Sequence, residues 1–293
     1  MDAYFCAVEL SYISEKEITR FITSALHEDV RDGDHSTLAS IDSDAKDHAK
    51  LLIKGDGILA GVQLAQQIFA HVDPELELEL LLEDGASVKY GDIGFYVKGS
   101  ARSILTAERL VLNCMQRMSG IATYTNQLVN MIAGTRARLL DTRKTTPNFR
   151  MMEKWAVVIG GGVNHRFGLF DMVMLKDNHV DYAGGITKAV AKTKQYLKAN
   201  SLNLRIEVET RNLAEVEEAL ACEGGVDRIM LDNMSTDDMT KAVALINKRA
   251  EVEASGGITE ATIRPVAETG VDFISVGALT HSYKSLDISL KAV

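Results

Sequence analysis

Eight residues able to carry positive charge lie between Asp141 and His179: Arg143, Lys144, Arg150, Lys154, His165, Arg166, Lys176 and His179. The chain as a whole has a formal net charge of −9, so this stretch is where an anion would be held. Arginine brings a planar fork suited to carboxylate or phosphate, lysine a compact point charge, and together they can neutralise a dianion. Further along, the chemistry changes sign. Glu207 and Glu209 in IEVET, Asp232 in MLDN and Glu253 in EVEAS are carboxylates that, if they point inward, must be paired or ligand-bound. Two glycine stretches, SGGI (255–258) and VGAL (276–279), each follow an apolar run and precede a helical pattern, expected to begin near Thr259 in the first case. Backbone N–H groups can approach phosphate oxygens closely there, and a helix N-terminus would add favourable partial charge.

These residues need elements that bring them together. From residue 137 onward short apolar strands alternate with helical segments: ARLLDTRK (137–144), FDMVMLK (170–176), LRIEVE (204–209), RIMLD (228–232), AEVEAS (250–255) and DFISVG (272–277). Segments 186–199, 213–221 and 235–250 carry helical periodicity, the last opening on a Ser235/Asp238 cap. Repeated βα units imply parallel strands joined by right-handed crossovers. No GxGxxG follows a strand, and polar residues close every strand instead of clustering at one switch point. That pattern predicts an α/β barrel whose ligand sits across the C-terminal strand ends. Arg143, Lys144, Lys176, Glu209, Asp232, Glu253, Ser255 and Gly277 then converge on one mouth. A single charged strand end is ordinarily just solvated, but six strands ending this way ask for a ligand. Glu207 and Glu209 share a strand face by the period of two, so both point inward or neither does.

The first hundred residues lack this alternation and read as a separate α+β layer. Ser14 and Glu17 form a capping box ahead of a helix over 15–27, DGDHST (32–37) reads as a turn, and strands are expected near 48–54, 57–61 and 93–98 with a helix over 62–72. Residues 106–134 read as one or two bridging helices. The expected domains are 1–112, an N-terminal α+β sandwich on which residues about 280–293 would pack, and 113–279, the barrel. Cys6, Cys114 and Cys222 have no metal-ligand spacing and suggest buried free thiols in a reducing compartment. Asp2 and Glu9 interrupt any secretory pattern, and no apolar run reaches membrane-spanning length, so a cytoplasmic protein is expected. An acidic chain whose basic residues are gathered in one segment disfavours binding to nucleic acid.

The combination of EDVRDGDHST (28–37), ERLVLNCMQRMSGIAT (108–123), TRKTTP (142–147), EKWAVVIGGGVNHR (153–166), MLKDNH (174–179), IEVE (206–209), MLDN (230–233), EASGGI (253–258) and ISVGALTHS (274–282) resembles the quinolinate phosphoribosyltransferase family. The resemblance spans nearly the whole chain. It implies an N-terminal α/β sandwich, an incomplete α/β barrel of six or seven parallel strands, and a homodimer. It also implies conversion of quinolinate and phosphoribosyl pyrophosphate, with Mg2+, to nicotinate mononucleotide, pyrophosphate and carbon dioxide.

Carried over by motif, Arg143, Lys144, His165, Arg166 and Lys176 would form the pocket for the quinolinate carboxylates. Glu209 and Asp232 would face the ribose and the magnesium–pyrophosphate, with Lys144 and Lys176 completing the catalytic set. Ser255, Gly256, Gly257, Gly277 and Ala278 would hold the 5′-phosphate, and Arg109 would enter from the partner subunit. Glu207 is the alternative to Glu209. His165 is either a substrate contact or a hydrogen-bonded support for Arg166, and His179 reads as structural. Two other functions stay open at this stage: a related transferase acting on another ring acid, and a non-catalytic anion-binding protein, which would have no use for carboxylates in its pocket.

Overall fold

The structure is a computed structural model that describes residues 12–293. Cys6, Asp2 and Glu9 lie outside the described residues. The chain divides into two compact units, one of residues up to Tyr124 with Thr145–Gly161 and Ser282–Val293, the other of Thr125–Lys144 and Gly162–His281.

The first unit opens with the helix Glu15–Asp29, whose N-cap Ser14 accepts from the Glu17 N–H and whose inner face buries Ile18 and Ile22. Only half of 32–37 is a turn: Asp34 accepts from the Thr37 N–H at 3.1 Å and caps a short helix, His35–Ser40. The strands are β1 (Lys46–Ile53), β2 (Gly57–Ile58), β3 (Glu77–Leu80), β4 (Ser87–Val88) and β5 (Ile93–Ser100). Along β1 Ala49, Leu51 and Ile53 alternate inward, as a sheet with one covered face requires. The helix Val62–Val72 buries Leu64, Ala65, Ile68 and Phe69, and Phe69 meets Phe95 of β5 edge-on at 6.0 Å.

Residues 106–134 contain one helix, Ala101–Met131, not two, and it begins earlier than its periodicity suggested because nothing after Ser100 breaks it. Gly120 within it lets the chain pass close by: a Cβ there would sit 2.5 Å from the Lys284 carbonyl oxygen. Residues 145–161 group with this unit although they fall between barrel motifs in sequence. Their helix, Arg150–Ile159, buries Met151, Met152, Trp155, Ala156, Val157 and Ile159 and therefore needs cover on most sides. Arg117 fastens it, donating through Nε to Glu153 Oε1 at 3.0 Å, while Glu153 Oε2 accepts from the Thr146 N–H.

The second unit carries six parallel strands: β6 (Arg138–Leu140), β7 (Val173–Leu175), β8 (Ile206–Thr210), β9 (Arg228–Asp232), β10 (Glu251–Ser255) and β11 (Phe273–Ser275). Their order is β6-β11-β10-β9-β8-β7, so the last strand returns beside the first, with Leu139 paired to Ile274. Consecutive β6 and β7 stand at the two ends of this order, and Leu140 is bridged in parallel to Val163 on the open side. The result is a barrel that does not close, six strands and a single bridge where a seventh would run. Crossover helices Ile186–Ala199, Leu213–Ala221 and Thr236–Ile246 follow β7, β8 and β9. Asn212 accepts from the Glu215 N–H and Ser235 from the Asp238 N–H to cap the latter two. Val208, Ile229, Leu231, Val252, Ala254 and Ile274 are buried to 5% exposure or less and make the barrel's core.

The final strand β12 (Ile288–Ala292) belongs to the first unit, where it pairs antiparallel with β1 to give the order β12-β1-β5-β3. Among the described residues no helix is long and apolar enough to cross a membrane.

Candidate active site

Parallel strands present their carboxyl ends on one side, and there the second unit holds a cavity of about 830 Å³. Arg143 and Lys144 reach it from the segment after β6, His165 and Arg166 from the loop after Val163, and Lys176 from the end of β7. Glu209 on β8, Asp232 on β9, Ser255, Gly256 and Gly257 at the end of β10, and Gly277 and Ala278 after β11 complete it. Arg109 is exposed on the helix Ala101–Met131 in the first unit and is not one of the lining residues.

Glu209 and Glu207, on the same face of β8, are separated by depth. Glu209 lines the cavity 3.7 Å from Lys176 Nζ, whereas Glu207 is fully buried and does not line it. Burial raises the Glu209 pKa, Lys176 opposes the rise, and Asp232 adds to it. Burial and then the neighbouring Arg143 lower the pKa of Arg166. Each half of the cavity thus holds like charges that gain from a ligand of opposite sign: an anion between the guanidinium groups, a cation between Glu209 and Asp232. Two carboxylates are a sparse donor set for a protein-held ion, but they suit magnesium, which commonly keeps its waters and takes one or two carboxylates together with substrate phosphates.

The glycine stretches work through close approach. Gly256 has φ +91, and a Cβ on it would lie 2.3 Å from Asn233 Oδ1; at Gly277 a Cβ would meet Lys144 Cδ at 3.0 Å and His281 Nε2 at 3.1 Å. The helix expected to begin near Thr259 instead runs Ile263–Glu268, because Thr262 Oγ1 accepts the Thr259 N–H and holds 259–262 as a turn. The helix after Gly277 is only Ala278–His281. Helix dipoles therefore contribute little here, and a phosphate would be met by the loop N–H groups themselves.

His165 is held from several sides. Its N–H donates to Asp141 Oδ1 at 2.8 Å, and Asn164 Nδ2 donates to Asp141 Oδ2 at 2.6 Å. Ring Nε2 lies 3.1 Å from Glu207 Oε2 and 3.2 Å from Glu253 Oε2, and Nδ1 accepts the Arg166 N–H at 2.7 Å. These contacts shorten the first barrel strand to Arg138–Leu140, since Asp141 onward serves the site. Burial opposes charge on the His165 ring, but Glu207 and Glu253 outweigh it and push its pKa up to about 9. Burial and Glu253 push Glu207 up to about 7. The raised pKa favours a second ring hydrogen, but the Arg166 N–H facing Nδ1 at 2.7 Å leaves no room for one there, so the geometry decides for a single ring hydrogen, on Nε2. Glu253, expected at the mouth, borders the cavity but is fully buried and accepts from Arg228 Nη1 at 2.9 Å. His179 does not line the cavity; its Nδ1 accepts the Lys176 N–H at 3.0 Å and shapes the turn into the helix Asp177–Ala183.

Sequence reasoning passed over Thr142, Asn233, Thr259 and His281 as lining residues. Asn233 and His281 sit within motifs already singled out, MLDN and ALTHS, so a signal existed. Met174 and Met230, which also line the cavity, read as ordinary core residues.

Residues 34–119 match the N-terminal domain of quinolinate phosphoribosyl transferase and residues 121–291 match its C-terminal domain. The chain is 51% identical over 284 residues to a Nicotiana tabacum protein named quinolinate phosphoribosyltransferase [decarboxylating] 1b, covering 92% of this chain and 81% of that one. It is 50% identical over 289 residues to the chloroplastic nicotinate-nucleotide pyrophosphorylase [carboxylating] of Arabidopsis thaliana, covering 94% and 82%. The crystal structure of NadC from Streptococcus pyogenes superposes with a TM-score of 0.89 at 41% identity, covering 96% of this chain and 99% of that one. With both domains matched and half of its residues shared with such relatives, the chain belongs to the quinolinate phosphoribosyltransferase family.

Proposed function

We propose that this protein converts quinolinate and phosphoribosyl pyrophosphate to nicotinate mononucleotide, pyrophosphate and carbon dioxide in NAD biosynthesis. The observation that carries this is one cavity with a cationic wall of Arg143, Lys144, Arg166 and Lys176, an acidic wall of Glu209 and Asp232, and glycine loops at 255–257 and 277–278. At about 830 Å³ it has room for both substrates side by side.

Arg143 and Arg166, with Lys144 and Lys176, neutralise the two quinolinate carboxylates and hold the ring with its nitrogen toward the ribose. The nitrogen attacks the anomeric carbon, the carbon–oxygen bond to pyrophosphate breaks, and pyrophosphate leaves with the bonding pair. Glu209 and Asp232 face the positive charge that develops on the ribose. The ring is then cationic at nitrogen. The bond to the adjacent carboxylate breaks, its electron pair stays on the ring carbon next to that nitrogen, carbon dioxide departs, and a proton takes its place. Much of the protein's contribution is positioning and charge complementarity. Glu209 and Asp232 would also hold magnesium, which when bound offsets the charge of the departing pyrophosphate.

A homodimer is part of this reading, with Arg109 completing the partner's cavity; its exposure on a long helix supports that role. A reducing, cytoplasmic setting is in keeping with Cys114 and Cys222, both free and buried. The assay is direct: purified protein with carboxyl-labelled quinolinate, phosphoribosyl pyrophosphate and magnesium is expected to release labelled carbon dioxide and form nicotinate mononucleotide. No release, with nicotinate or another ring acid consumed instead, would overturn the assignment.

A further inference from the structure

At the cavity floor and beneath it lies a layer of buried charge. Glu207 on β8, Arg228 on β9 and Glu253 on β10 are buried together, with the Arg228 guanidinium 4.3 Å over the Phe273 ring. Arg228 donates to Glu253 and to Glu251, but the oxygens of Glu207 have no partner among the described residues beyond the His165 ring 3.1 Å away. A buried carboxylate with so little compensation is costly, so its retention asks for a task.

His165, Glu207 and Glu253 are grouped closely enough to suggest a metal site. The ring orientation argues against one. Nδ1 accepts the Arg166 N–H, so the ring hydrogen sits on Nε2, the nitrogen that would have to bind the ion. The same hydrogen falls between Glu207 Oε2 at 3.1 Å and Glu253 Oε2 at 3.2 Å and is directed squarely at neither, a contact shared by two carboxyl groups.

We propose that Glu207 and Glu253 are positioning residues that act through His165 on Arg166. By sharing the Nε2–H they keep the ring hydrogen on that nitrogen, and Nδ1 is left as the acceptor that fixes the Arg166 backbone. Arg166 depends on this anchor, because among the described residues its guanidinium donates only to the Met172 carbonyl at 3.2 Å and Met174 Sδ at 3.6 Å. If the ring hydrogen moved to Nδ1, it would face the Arg166 N–H and push the loop away. The consequence for substrate rests on the reading above, in which Arg166 meets a quinolinate carboxylate.

Two measurements test this. Nitrogen-15 NMR of the wild-type protein with labelled histidine, the His165 signal assigned by its loss in His165→Asn, reads the ring state directly among the seven histidines. A ring protonated on Nε2 alone is expected; one protonated on Nδ1 alone or on both nitrogens overturns the proposal. Steady-state kinetics of Glu207→Leu, which removes one of the two carboxyl groups, should show KM for quinolinate raised about tenfold, equivalent to ~1.4 kcal/mol, with KM for phosphoribosyl pyrophosphate within about twofold. Glu207→Gln, which keeps an oxygen of the same shape, should recover most of that loss. Equal change in both KM values, or a loss in kcat alone, would mark a merely structural role and refute positioning. Should neither variant fold, the wild-type NMR result decides. Wild-type protein inert toward quinolinate would overturn the proposed function and leave the ring state to be judged by itself.

Discussion

Replacing Gly256 by alanine probes the phosphate side of the cavity, and its effect can be worked from the geometry. The new Cβ would sit 2.3 Å from Asn233 Oδ1, 2.5 Å from its Cγ and 2.8 Å from its Nδ2, so the whole amide must leave. That amide donates to Asp232 Oδ2 at 2.8 Å, and losing the bond costs about 1 kcal/mol and frees the Asp232 carboxylate to turn. Holding alanine at φ +91 adds strain of about 1–3 kcal/mol. Gly257→Ala is the control: it carries a similar backbone cost at φ +61, but its Cβ would stand 4.0 Å from Asn233 Oδ1 and displace nothing. The assay is carbon dioxide release at saturating quinolinate over a range of phosphoribosyl pyrophosphate, with a thermal melt of each variant. Both variants should melt lower. Only Gly256→Ala should also raise KM for phosphoribosyl pyrophosphate by about tenfold, equivalent to ~1.4 kcal/mol. Equal KM values for the two alanine variants would refute the idea that Asn233 couples the glycine loop to Asp232.

Arg166→Lys keeps the charge but loses the planar fork, so KM for quinolinate should rise about tenfold or more with the melt unchanged, as steady-state kinetics would reveal. Glu209→Gln should abolish most turnover yet raise the melting temperature at pH 7.5. Burial lifts the Glu209 pKa above its unfolded value, so ionised Glu209 opposes folding once pH exceeds the folded pKa. The gain over wild type should vanish below the ordinary glutamate pKa, about 4.3, in melts run across pH. Mixing Arg109→Ala with Lys176→Ala should restore activity through hybrid dimers that hold one intact cavity; subunit exchange without rescue would remove Arg109 from its partner's site.

Much of the site was legible because its residues close βα units, and polar groups at successive strand ends have one place to meet. Arg143, Lys144, Lys176 and Asp232 were placed on the cavity by period and position alone, since strand direction and the alternation of side chains are local properties of the chain. The helix caps at Ser14 and Ser235 are local in the same way. Depth was not. Glu207 and Glu209 are indistinguishable by pattern, two residues apart on one face, and only the layering of β8, β9 and β10 puts one in the cavity and the other against His165. The turn at 259–262, the placing of 145–161 with the first unit, and the return of β12 to β1 depended likewise on contacts distant in sequence. The sequence by itself determined the barrel, the order of its chemistry around the rim and the family. Tertiary structure decided which carboxylates meet a ligand and which meet a histidine, because desolvation is set by what packs above and below a residue, and no local pattern records that.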